Sequence, residues 1–191
     1  MSVYEILGIL SPVVASIGYI PYIQGLIKGK NRPHPFSWLP WSIIGLITLI
    51  TYTGVGATDT LPLAILNFIG PTLVVLLSLK YFKSVQSRFD YTCLYTSLSA
   101  IVIYVIFHDA TVALTINLLG DLVAHLPTIR QVYLDPYSEN MYTWIFFALG
   151  NSLSILAIRQ WSYGVAVFPV FLTIAAFIVV MFIAVGRLKN D

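Results

Sequence analysis

The chain has 191 residues, of which 58% are hydrophobic and 9% charged, with a formal net charge of +2. Soluble domains carry about 25% charged residues, so these few charges could not keep a water-facing surface wet. That excludes a soluble enzyme and a basic nucleic-acid module, and the single Cys93 excludes an internal disulfide or a cysteine metal cluster.

A helix that crosses a bilayer needs about 20 mostly apolar residues. Seven candidates cover nearly the whole chain: roughly 4–27, 37–56, 61–82, 91–107, 110–133, 141–158 and 164–186. The first carries Pro21 near its end, and the second opens on SWLPW with Pro40. In the third, Asn67 is the polar residue of LNFIG; the fourth begins with Tyr, Thr, Cys and Ser residues and reads as a linker. The fifth holds Asn117, Asp121 and His125 at spacing i, i+4, i+8, one polar stripe on one helix face. At a rise of about 1.5 Å per residue, Asp121 sits some 16 Å along that helix, near mid-membrane. The sixth has Trp144 and Asn151, and in the seventh Thr173 is the polar residue of FPVFLTIAAF.

Seven crossings put the loops after segments 1, 3 and 5 on the side of the C-terminus. That side receives Lys28, Lys30, Arg32, Lys80, Lys83, Arg88, Arg130, Arg187 and Lys189, and the opposite side Arg159 alone. Lys and Arg collect in cytoplasmic loops, so the N-terminus is expected outside and the C-terminus in the cytoplasm.

Residues 20–38, IPYIQGLIKGKNRPHPFSW, are echoed 106 positions later by residues 126–144, LPTIRQVYLDPYSENMYTW. Each stretch has a proline after an aliphatic residue and closes on a tryptophan. Two triples in one orientation need an odd crossing between them, which the fourth segment supplies. The fold expected is all-α integral membrane, 3+1+3: a first three-helix bundle over 1–83, a linker helix over 84–109 and a second, parallel bundle over 110–191.

With those residues in view, the chain resembles the PQ-loop proteins, which include the SWEET sugar transporters, their half-sized bacterial relatives, the lysosomal cystine exporter and the KDEL receptors. Pro21, Lys28, Lys30 and Ser37 match the first signature, and Pro127 with Thr143 the second; Tyr22 and Thr128 stand where the family has glutamine. The resemblance implies solute transport by alternating access, with Pro21, Pro40 and Pro127 at three of four gating-proline positions. It also implies a solute-holding asparagine in the third helix, Asn67. The seventh segment offers only Thr173 in that role.

Ionisable groups within a span are costly and tend to be functional. Asp121 and His125 are therefore candidates for proton coupling, for substrate contact or for a structural pair, and these alternatives stay open. Asn117, Asn151, Trp38 and Trp144 complete the candidate substrate site. Trp38, Trp41, Trp144 and Trp161 near segment ends also read as interfacial anchors, with a cavity wall as the alternative for Trp38 or Trp144. The reading is a non-enzymatic carrier of a small polar solute, sugar or similar, as a uniport or proton-coupled. Its alternatives are a vitamin, nucleoside or amino-acid carrier and a KDEL-receptor-like protein. No cofactor or metal is expected. The partners are the lipid bilayer and a small-molecule substrate, with self-association left open. A plasma (inner) membrane is expected, an organellar one being the alternative.

Overall fold

A computed structural model describes residues 2–78, 87–106 and 110–190. Among them lie seven helices and no strand: α1 (Val3–Ile27), α2 (Pro35–Gly54), α3 (Leu61–Ser78), α4 (Arg88–Ile106), α5 (Ala110–Leu134), α6 (Met141–Leu156) and α7 (Tyr163–Asn190). They sit over the seven apolar segments of the sequence. Lys80, Lys83 and His108, and the expected edges of the linker at 83–84 and 109, lie outside the described residues.

Helix starts are written locally. Ser2 accepts from Glu5 N (3.3 Å) while Glu5 accepts from Ser2 N (2.9 Å), a reciprocal cap. Ser87 and Asp90 repeat the device ahead of α4, Pro35 opens α2, and Asn140 caps α6 through Thr143 N.

Among the described residues four helices are long and apolar enough to cross a membrane, at Val3–Ile27, Pro35–Tyr52, Leu61–Ser78 and Tyr163–Lys189; Met141–Leu156 is apolar but shorter. Large aliphatic side chains such as Ile9, Val13, Ile20, Leu76 and Ile174 face outward from α1, α3 and α7. Exposed apolar area on this scale is suited to lipid. This is the build of an all-α membrane protein.

Ion pairs show which helix ends lie together. Arg159 reaches Glu5 (2.8 Å) and Asp59 (3.6 Å), joining the start of α1 to the α2–α3 and α6–α7 links. At the other, basic end Arg32 pairs with Asp135. There Arg130 approaches Asp90 (3.7 Å), and Arg187 donates to the carbonyls of Pro136 and Glu139. His34 also faces Asp90 at 3.5 Å, and burial together with Arg130 holds its imidazole below the usual range despite that carboxylate.

The repeat has a counterpart in packing. Helix α1 packs on α6 and α5 on α2; α2 packs on α3 and α6 on α7; α1 packs on α3 and α5 on α7. Exchanging α1, α2, α3 with α5, α6, α7 maps this set onto itself, and α4 packs chiefly on α5 and α2. Where the two repeated loops meet, Arg32 N donates to Ser138 O at 3.0 Å. Ser138 is the residue 106 positions on (138 − 32), so equivalent positions face each other, as at a two-fold axis.

The prolines lie deeper in their helices than caps would. Pro21, Pro40 and Pro127 are all inside α1, α2 and α5, with helix continuing beyond each. Each removes a hydrogen bond and loosens the helix there. Pro21 and Pro127 therefore do not end their helices, and Pro40 lies beyond the first turn of α2.

Candidate functional site

A cavity, partly open to the outside, lies where the two triples meet. The described lining residues come from six helices. Ala15 and Tyr19 come from α1, Trp38, Trp41 and Gly45 from α2, and Asn67 and Pro71 from α3. Asp121 and His125 come from α5, Trp144, Phe147 and Asn151 from α6, and Phe168 and Leu172 from α7. Trp38 and Trp144, the closing residues of the two repeated stretches, thus stand on the same cavity from opposite halves.

Glycine brings the walls together. A Cβ on Gly150 would fall 2.6 Å from Ala15 Cβ, and one on Gly45 would collide with the Asn67 carbonyl. Small residues at such seams let membrane helices approach closely.

Aromatic rings form most of the wall. Trp38 and Trp41 meet edge-on with centroids 5.1 Å apart, Trp41 and Trp144 at 6.0 Å, and Tyr19 and Phe147 at 4.8 Å. Trp38, Trp41 and Trp144 are all buried, and only Trp161 is exposed, at 65%. The interfacial-anchor reading is therefore corrected for three of the four. Their places near helix ends in the sequence said nothing of which face they occupied.

Asp121 and His125 form the polar edge, both buried. The imidazole Nδ1 lies 2.8 Å from the Asp121 main-chain oxygen and 3.4 Å from its Oδ1. A carbonyl oxygen only accepts, so Nδ1 carries the proton and gives it to the shorter contact. The carboxylate Oδ1 is left without a hydrogen-bond partner among the described residues. The ring itself is wedged against Trp41 (4.6 Å) and Phe171 (5.8 Å).

Two expected site residues lie off the cavity lining. Asn117 is fully buried, its amide donating to Ile44 O (3.2 Å) and Thr48 Oγ1 (2.5 Å), which ties α5 to α2. The Thr173 hydroxyl donates back to Pro169 O at 2.8 Å within its own helix. Asn67 and Asn151 do line the cavity, although the Asn67 amide donates to Leu63 O (2.9 Å) in α3.

One residue absent from the sequence reading stands out on the basic-end side of the cavity. Glu139, in the loop before α6, is 1% exposed. Its Oε1 accepts from Tyr22 Oη at 3.0 Å and its Oε2 from Trp144 Nε1 at 3.1 Å. Tyr22 in turn packs on Trp38, 5.0 Å between centroids. This clasp joins α1 to α6 behind two cavity tryptophans. Burial pushes the Glu139 carboxyl up to about 8, against the pull of its two donors.

No group of three or more His, Cys, Asp or Glu among the described residues could hold a metal ion. Comparison with known proteins gives no match: no family model, no curated protein and no solved structure matches the chain.

Proposed function

We propose that the chain carries a small polar solute across a membrane by alternating access, as a PQ-loop-like 3+1+3 bundle of seven spanning helices with its N-terminus outside. The observation that carries this reading is the cavity at the seam of two repeat-related triples, lined by both. Transporters built of parallel repeats hold their solute at such a seam, near mid-membrane. Interior prolines in α1, α2 and α5 give the helices places to bend, and the Tyr22–Glu139–Trp144 clasp closes the basic end. Among the described lining residues there is no Arg or Lys of the kind that would hold a peptide carboxylate.

The test is uptake into proteoliposomes of a panel of sugars, nucleosides, amino acids and amines, with and without a proton gradient. Uptake above protein-free vesicles is expected, with Asp121→Asn and Asn67→Ala each lowering it about tenfold or more, as loss of a residue at a buried site does. If no solute on the panel moves, the carrier reading falls.

A further inference from the structure

We propose that the solute is a small organic cation, held by the Asp121 carboxylate within the cage of Trp38, Trp41 and Trp144. This rests on the cavity being the solute site, as argued above, and adds the charge and chemical class of what enters.

The wall's chemistry narrows the class by elimination. Among the described lining residues Asp121 is the single acidic side chain, and none is Lys or Arg. An anionic solute would meet repulsion from Asp121, with no Lys or Arg among the described lining residues to offset its charge. A polyhydroxylated solute needs many donors and acceptors, yet no Ser, Thr or Gln is among the described lining residues, and the Trp38 and Trp41 N–H groups, which lack acceptors, only donate. Of the two asparagines there, Asn67 has its amide engaged by Leu63 O.

The carboxylate and the rings favour a cation. Asp121 is 3% exposed, and its Oδ1 lacks a hydrogen bond because the His125 proton goes to the main-chain oxygen beside it. A buried carboxylate with a free oxygen is stabilised most by a cation brought against it. The indole rings, with centroids 5.1 and 6.0 Å apart, are packed closely enough for one small cation to touch several. A cation within about 6 Å of a ring centroid is attracted by the negative face of the ring, and aromatic cages of this kind suit quaternary ammonium groups. An ammonium that cannot donate hydrogen bonds fits a wall that offers few acceptors.

The experiment compares cations with neutral molecules of the same shape, using purified protein in nanodiscs. The probes are choline against 3,3-dimethylbutan-1-ol, and 1-methylnicotinamide against 3-methylbenzamide. Binding is read from tryptophan fluorescence, since three of the four tryptophans line the cavity. At least one cation is expected to bind about tenfold or more tighter than its neutral twin, the scale of a desolvated cation–π contact joined to a charge pair. Asp121→Asn, which keeps the shape, is expected to remove that preference, so that each cation binds no tighter than its neutral twin. Should that variant not fold, Trp41→Leu serves, with cation affinity lowered about fivefold. Equal binding of both members of each pair overturns the proposal. So does uptake of a neutral sugar or nucleoside with no cation bound, an outcome that leaves the carrier reading standing. If nothing on the wider panel binds or moves, the carrier reading fails and this inference with it.

Discussion

Gly45→Leu is expected to leave no monodisperse folded protein in detergent. A Cβ at this position in α2 would run into the carbonyl oxygen of Asn67 and come within 2.9 Å of Phe68 Cα, both main-chain atoms of α3. A side-chain end can swing aside, but a helix backbone moves only as a whole. Overpacking costs about 1–3 kcal/mol where neighbours can adjust, and more is expected here. Gly45→Ala already places the offending atom, so its apparent melting temperature should fall by roughly 5–10 °C, taking about 2–4 °C per kcal/mol for a chain of this size. Asn67 lines the cavity, so the alanine variant should also bind solute less well. Gly56→Ala is the control: its φ of +70° makes any side chain strained, but nothing lies within 4 Å. It should cost about 1 kcal/mol through the backbone alone. Equal melting temperatures for Gly45→Ala and wild type would mean that the α2–α3 seam is looser than described.

The helices were legible because apolar length, prolines and caps are local signals, and the repeat was legible because IPYIQ and LPTIR occur in matching places. The site was legible in part. The i, i+4, i+8 stripe on α5 correctly put Asn117, Asp121 and His125 on one face, but a face meets different neighbours at different depths. Two of the three reach the cavity, while Asn117 is taken up by α2 at Ile44 and Thr48. Spacing gives direction around a helix and not what stands opposite.

Glu139 shows the other limit. An acidic residue just ahead of Asn140, the cap of α6, reads as a solvated turn, and the first repeat has Pro33 at the equivalent position (139 − 106). With no partner in the repeat and no apolar flank, nothing marked it as buried. Its burial is tertiary, made by Tyr22 from a helix 117 residues earlier in the chain. The tryptophans were misjudged for a related reason, since closeness to a helix end fixes depth but leaves open whether the ring faces lipid or the bundle.

That same glutamate carries the sharpest pH prediction. Its carboxyl lies at about 8 in the folded protein against 4.5 when free in water, so the folded state holds a proton that the unfolded state has released over the interval between. Stability from this group is complete below about pH 4.5 and is lost as pH rises through about 8. The charged and titratable neighbours do not reverse this. Arg187 donates to the Glu139 main-chain oxygen at 3.3 Å, and Tyr22 donates its own proton to the carboxyl. The apparent melting temperature of the wild type is therefore expected to fall between pH 6 and pH 9. Glu139→Gln should flatten that fall: its amide oxygen can accept from Trp144 and its amide nitrogen can donate to the Tyr22 oxygen, with no charge to bury. Glu139→Ala should be less stable than either at pH 6, because the Tyr22 hydroxyl and the Trp144 N–H lose their buried acceptor, at about 1–3 kcal/mol for each stranded group. Solute uptake follows the same sign if the clasp is what closes the basic end. Ionising Glu139 weakens the α1–α6 contact, so opening there should become easier above pH 8 in the wild type and insensitive to pH in Glu139→Gln. Identical pH slopes for the two proteins, in melting and in uptake, would show that the carboxyl is charged throughout and that the clasp does not respond to protons.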